Sequence, residues 1–138
     1  MPSSIQRTTG EAVYASPFLT GADGNNIHVK VIVSSLTSRE VDSKGYLKPG
    51  VPLVRATGLL PTLAGDIIAA VEEQTQVATG NTAPILAAVT NSPFVACRVY
   101  GTINHDMLVS VLGAALTAGE ITAFNGAGSQ LRLTVKSV

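Results

Sequence analysis

The side chains best suited to move a proton near neutral pH are His28 and His105, far apart in a chain of 138 residues. His105 is followed by Asp106. Consecutive helical residues point about 100° apart, so the two do not read as a catalytic pair by themselves. Among nine carboxylates, Glu72 and Glu73 are neighbours. On strand or helix alike they diverge, and they read as a solvated pair rather than an acid–base dyad. No serine stands in a Gly-x-Ser-x-Gly elbow. The single cysteine, Cys97, lies in an apolar run and reads as a small buried group rather than a nucleophile. One thiol also rules out an internal disulfide.

Metal and phosphate chemistry fare no better. One cysteine and two distant histidines have no metal-ligand spacing. Asp23-Gly24-Asn25 matches a fragment of a calcium loop, without the remaining ligands or the bidentate glutamate. Gly126-Ala127-Gly128 follows an expected helix, where glycines act as caps and not as a phosphate cradle. The expectation is a protein with no catalytic residues, no metal and no cofactor. A hydrolase built on His28 or His105 is the enzymatic rival.

The elements that would position any site are mostly strands. Residues 82–108 form the centre: apolar runs at 85–89 and 94–100 flank the breaker Thr90-Asn91-Ser92-Pro93. In the second run only Arg98 is charged, so that strand should be covered on most of both faces. Gly101-Thr102 is expected to close it. Residues 27–33 alternate as a half-buried strand, with His28 on the wetter face. Residues 34–44 read as a loop or edge hairpin, Pro49-Gly50 as a turn and 51–56 as a strand. The run 67–73 is ambiguous between helix and strand, and its neighbours favour strand.

Two short helices follow. Asn104 can cap the first, with Asp106 in its first turn and Met107, Leu108, Val111 and Leu112 on one face. Thr117 and Glu120 have the spacing of a capping box, with Ile121 and Phe124 as the second helix's apolar side and Gly126 or Gly128 as its stop. Leu131, Leu133 and Val135 then alternate with Arg132, Thr134 and Lys136 in a last strand.

Nine basic and nine acidic residues cancel, which argues against nucleic acid or an anionic membrane as partner. Charged residues are 13% of the chain, and from residue 74 onward they are Arg98, Asp106, Glu120, Arg132 and Lys136 alone. Such a half carries either a neutral polar surface or one covered by a partner, since interface centres lose charge. The uncharged stretch 107–119 is short of the about 20 residues that a bilayer requires. No signal peptide is read at the start, so a soluble chain made in the cytoplasm is expected. Residues 1–26 lack periodicity and read as an extended arm before a single domain at 27–138. Its apolar beads Ile5, Val13, Tyr14, Phe18 and Leu19 are the candidate partner contacts.

Residues 45–138 resemble a known family, the lambda-type head decoration proteins of tailed phages. The likeness is carried by Tyr46-Leu-Lys-Pro-Gly-Val-Pro-Leu53 and by Thr82-Ala-Pro-Ile-Leu-Ala-Ala-Val89 with the run ending Val99-Tyr-Gly-Thr102. It continues through residues 104–108 and the close Leu116-Thr-Ala-Gly-Glu-Ile-Thr-Ala-Phe124 leading by glycines to Leu131-Arg-Leu133. The chain departs in lacking tryptophan, in the uncharged 109–118 and in the long 34–44 loop. The resemblance implies a mainly β domain with short helices, a small mixed sheet of barrel-like, β-tulip form. It implies homotrimers at threefold and quasi-threefold sites on the virion surface, stapling the major capsid protein against DNA pressure. The N-terminal arm would order on the shell, adding a strand to a capsid sheet edge. The alternative is another virion or cell-surface β-module, a fibre or adhesin base that contacts a receptor or glycan.

Overall fold

A computed structural model describes residues 14–19, 26–63, 65–78, 93–126 and 130–134 of the chain. Among the described residues the fold is mainly β with two short α-helices. Strands β1 (Asn26–Lys30), β6 (Phe94–Arg98), β4 (Ile68–Val71) and β3 (Pro52–Val54) form one antiparallel sheet in that order. β2 (Tyr46–Leu47) pairs with β5 (Thr75–Gln76), and β7 (Tyr100–Asn104) pairs in parallel with β8 (Gln130–Thr134). These sheets do not close into a barrel. Residues 85–89, the first run of the central stretch, lie outside the described residues, as do Asp23, Gly128, Val135 and Lys136.

The ambiguous run resolves to strand. All four residues of β4 are buried, flanked by β3 and β6. Its two alanines let both sheet faces be packed over, which a solvent-facing helix would not need. β1 ends earlier than its alternation suggests. Val31 still donates to Pro93 O at 2.9 Å, but Val33–Ser35 turns into a single 3₁₀ turn. The Ile32 amide turns instead to Gly58 O at 3.2 Å. Gly58 sits at φ +73°, and a Cβ there would lie 1.9 Å from Lys30 O, so no other residue fits this approach.

Gly101 does not end the central strand. The chain breaks two residues earlier, at Val99, and Gly101 lies within β7 opposite Leu131. The break lets Arg98 remain in the four-stranded sheet while β7 pairs elsewhere.

Both helices begin where capping chemistry directs. In α1 (His105–Leu112), Asn104 Oδ1 accepts from the Met107 amide at 2.9 Å. In α2 (Ala118–Phe124), the Glu120 amide donates to Thr117 Oγ1 at 3.1 Å and the Thr117 amide donates to Glu120 Oε1 at 2.9 Å. This reciprocal box fixes the helix's rotation. It turns Glu120, Ala123 and Phe124 inward and leaves Ile121 outside, which corrects the expectation that Ile121 faces the core. Leu108 and Leu112 of α1 join Phe124, Ile103 and Leu131 in the core. Cys97 is fully buried there, and burial, reinforced by the Glu72 charge, pushes its thiol up to about 12. That is the inert form of a cysteine.

Candidate functional site

The N-terminal segment meets the domain at β7. The Leu19 amide donates to Thr102 O at 2.8 Å, the Asn104 amide donates to Pro17 O at 2.9 Å, and Phe18 bridges Ile103 in antiparallel register. Residues 17–19 therefore act as a short extra strand on the edge of β7 that β8 leaves open. Pro17 packs into the space above Gly50, where a Cβ would come within 2.6 Å of its Cγ. Tyr14 Oη donates to Asp42 Oδ2 at 2.8 Å, and the Tyr14 amide donates to Gln74 Oε1 at 3.2 Å.

Charge holds this strap down. Arg98, 3% exposed, donates to Glu72 Oε1 from Nε at 2.9 Å and to Oε2 from Nη2 at 2.6 Å. Its guanidinium lies 4.0 Å from the centre of the Phe18 ring. A planar cation can bind a carboxylate at its edge and an aromatic ring on its face at once. Buried Lys48 does similar work near Tyr14: Nζ donates to Leu112 O at the end of α1 at 3.3 Å and lies 5.8 Å from the Tyr14 ring centre. A cation suits that carbonyl end of a helix. Burial lowers the Lys48 pKa from its ordinary value, against the opposing pull of Asp42 and Glu40.

A second ionic clasp joins elements far apart in sequence. Arg39 donates from Nη1 to Glu40 Oε2 at 2.7 Å and to Glu120 Oε2 at 2.9 Å, and from Nη2 to Glu120 Oε1 and Ala115 O. Glu40 and Glu120 are both 2% exposed in their side chains. The hydrogen bond to Glu120 is the largest influence on Arg39, and it raises the guanidinium pKa further. The clasp fastens α2 to the 37–40 turn.

The candidate contacts named from the sequence thus separate. Phe18 is buried in the core, Tyr14 is half-buried under its hydrogen bonds, and Leu19 is exposed beside them. Ile5 and Val13 lie outside the described residues. Sequence reasoning missed the partners of Arg98 and Arg39. The only signal for the first was a lone charge within an apolar strand, and its partner is 26 residues away.

Groups that could do chemistry are scattered. His28 is exposed on β1. His105 Nδ1 does reach Asp106 Oδ1, at 3.0 Å, because side-chain torsions close the gap expected on a helix. Asp106 is 74% exposed, so the contact is a surface one. Glu72 is engaged by Arg98 rather than solvated beside Glu73. Among the described residues, no group of three or more His, Cys, Asp or Glu could hold a metal, and no helix is long and apolar enough to cross a membrane.

The outer surface shows the converse arrangement. Leu19, Leu59, Leu63, Ile67, Phe94 and Ile121 are exposed, with Leu63 at 65% and Phe94 at 62%. Ile67 borders a groove of about 570 Å³ between β1 and the chain either side of the β3–β4 connection. Comparison with protein-family models, with curated proteins and with solved structures finds no match to this chain.

Proposed function

We propose that the chain is a decoration protein of a tailed-phage head, bound to the outer surface of the expanded shell through the major capsid protein. It acts as homotrimers at threefold and quasi-threefold sites and stabilises the shell without catalysis, cofactor or nucleic acid. The likeness of residues 45–138 to the lambda-type family supplies the class. The observation that carries it furthest is an inversion of polarity. Arg98, Glu40, Glu120 and Lys48 are drawn inside while Leu63, Phe94, Ile67 and Leu19 stand outside. Exposed apolar side chains on a charge-poor chain suit a surface that another protein covers.

Stabilisation in this role is mass action. A protein that binds the expanded shell and not its disrupted form shifts that equilibrium by its own binding free energy. The strap ties residues 14–18 to the domain, and Leu19, Ile5 and Val13 remain the arm's candidate contacts. The test mixes the purified protein with undecorated expanded heads and counts bound copies. Copies in multiples that match threefold and quasi-threefold sites support the reading. No binding to heads, together with binding to a glycan, supports the adhesin-base alternative instead.

A further inference from the structure

The strap at residues 14–19 covers charged groups that do not depend on it. Arg98, under the Phe18 ring, has both of its hydrogen bonds to Glu72 within the domain. Lys48, beside the Tyr14 ring, has Leu112 O. Asp42 accepts Tyr14 Oη on Oδ2, while its Oδ1 is held separately by the Lys44 and Tyr46 amides at 2.9 and 3.0 Å. Lifting the strap leaves each of these charges with a partner. It therefore avoids the stranded charge that makes a buried ionic contact costly to break.

The strap itself is built as a unit. Its Phe18 amide donates to its own Ser16 Oγ at 3.3 Å. Two backbone hydrogen bonds join it to β7, from the Leu19 amide to Thr102 O and from the Asn104 amide to Pro17 O. Gln74 Nε2, on the side chain that holds the Tyr14 amide, is buried with no partner among the described residues, a cost carried by the closed state. Segments with few crossing hydrogen bonds open locally while the rest of a protein stays folded.

The seat beneath has a definite chemistry. It offers the β7 edge to a backbone, the face of the Arg98 guanidinium to an aromatic ring, the space above Gly50 to a proline and Asp42 Oδ2 to a tyrosine hydroxyl. Strand addition takes its affinity from the backbone and its selectivity from such side-chain positions. Tyr14-Ala-Ser-Pro-Phe-Leu19 has this pattern, and every copy of the chain carries it.

We infer that the strap is an exchangeable strand, which opens as a unit from a folded domain and whose seat takes the same segment of a second copy. The seat contacts are the same whether the segment comes from its own chain or from another, so exchange gives up none of them. The inference needs no shell and stands apart from the decoration reading.

Hydrogen exchange on the full chain tests the opening. The Leu19 and Asn104 amides should exchange with one common opening constant, roughly a hundredfold larger than that of the Val71 amide, which bonds Val51 O at 3.0 Å inside the domain. A labelled peptide with the sequence of residues 14–19 tests the seat. It is added to the unmodified chain, to Phe18→Ala and to Phe18→Leu, which keeps an apolar side chain should alanine unfold the domain. The peptide should bind Phe18→Ala roughly tenfold more tightly than the unmodified chain, with Phe18→Leu between them, because a weakened strap competes less. The same peptide with alanine for its phenylalanine should bind none of the three. An Asn104 amide as slow as that of Val71, or equal binding of the two peptides, overturns the inference.

Discussion

Two edges of this molecule are handled in opposite ways. At β7, the chain covers its own edge with residues 17–19 and fastens the cover with Arg98 and Glu72. At β1, no described residue pairs with the outer edge at His28, and a groove lined by Ile27, Val54, Ala56 and Ile67 with Arg55 and Asp66 lies beside the strand. An uncovered edge is a liability in a free protein and is normally shortened, charged or paired. The charged side chains are used at the first edge to hold the chain's own parts together. Apolar side chains lie at the second. The difference separates what keeps the domain folded from what is left for a partner.

The comparison breaks most readily at Arg98. Arg98→Ala leaves the Glu72 carboxylate half-buried without its partner and uncovers one face of Phe18. A loss of about 3 kcal/mol in urea unfolding is expected. The double variant Glu72→Leu, Arg98→Met should recover most of it, because an apolar pair replaces the ionic one without stranding a charge. Loss below about 0.5 kcal/mol for the single change would show that the strap is not held by this clasp.

Glu120→Ala comes next. It removes half of the capping box and an Arg39 partner together, with an expected loss of about 2 kcal/mol by the same measurement. Binding to heads should fall only as far as folding does.

Alkaline pH acts on the covered edge through Tyr14. Burial, then the Asp42 hydrogen bond and charge, push the Tyr14 hydroxyl from 10.0 up to about 12. The folded state holds this proton longer than the unfolded chain. The contribution is therefore complete below pH 10 and is lost as pH rises through about 12. The Cys97 thiol, raised from 9.0 to about 12, acts in the same direction. Lys48, lowered by burial, opposes them as pH climbs toward its ordinary 10.5. Unfolding midpoints of Tyr14→Phe should decline less between pH 10 and 12 than those of the unmodified protein. Equal slopes would place the alkaline loss elsewhere.

The smallest expected effect is at the open surface. Leu63→Ser, at a side chain 65% exposed, should change stability by less than about 0.5 kcal/mol.

What the sequence makes legible follows range. Asn104, Thr117 and Glu120 act within four residues of themselves, and both helix starts are where their spacing puts them. The run 67–73 needs its neighbours to resolve, because a short apolar stretch has no period of its own. The end of β6 at Arg98 rather than at Gly101 depends on β8, a partner from the far end of the chain. Phe18 reads in sequence as a bead on a loose arm because its neighbours, Arg98 and Ile103, lie some eighty residues on. Arg39 and Glu120 are 81 residues apart and give no local sign of each other. That β1 lies at the end of its sheet is equally hidden, since alternation reveals which face of a strand is buried and not where the strand stands in the sheet order.

The division between a self-fastened edge and a partner-facing one is tested most directly by counting copies on undecorated expanded heads, for the unmodified chain and for Ile67→Asp and Arg98→Met/Glu72→Leu side by side. Full occupancy of threefold and quasi-threefold sites is expected for the unmodified chain and for the double variant, with a marked deficit for Ile67→Asp. Equal occupancy by all three, or none by the unmodified chain, would contradict it.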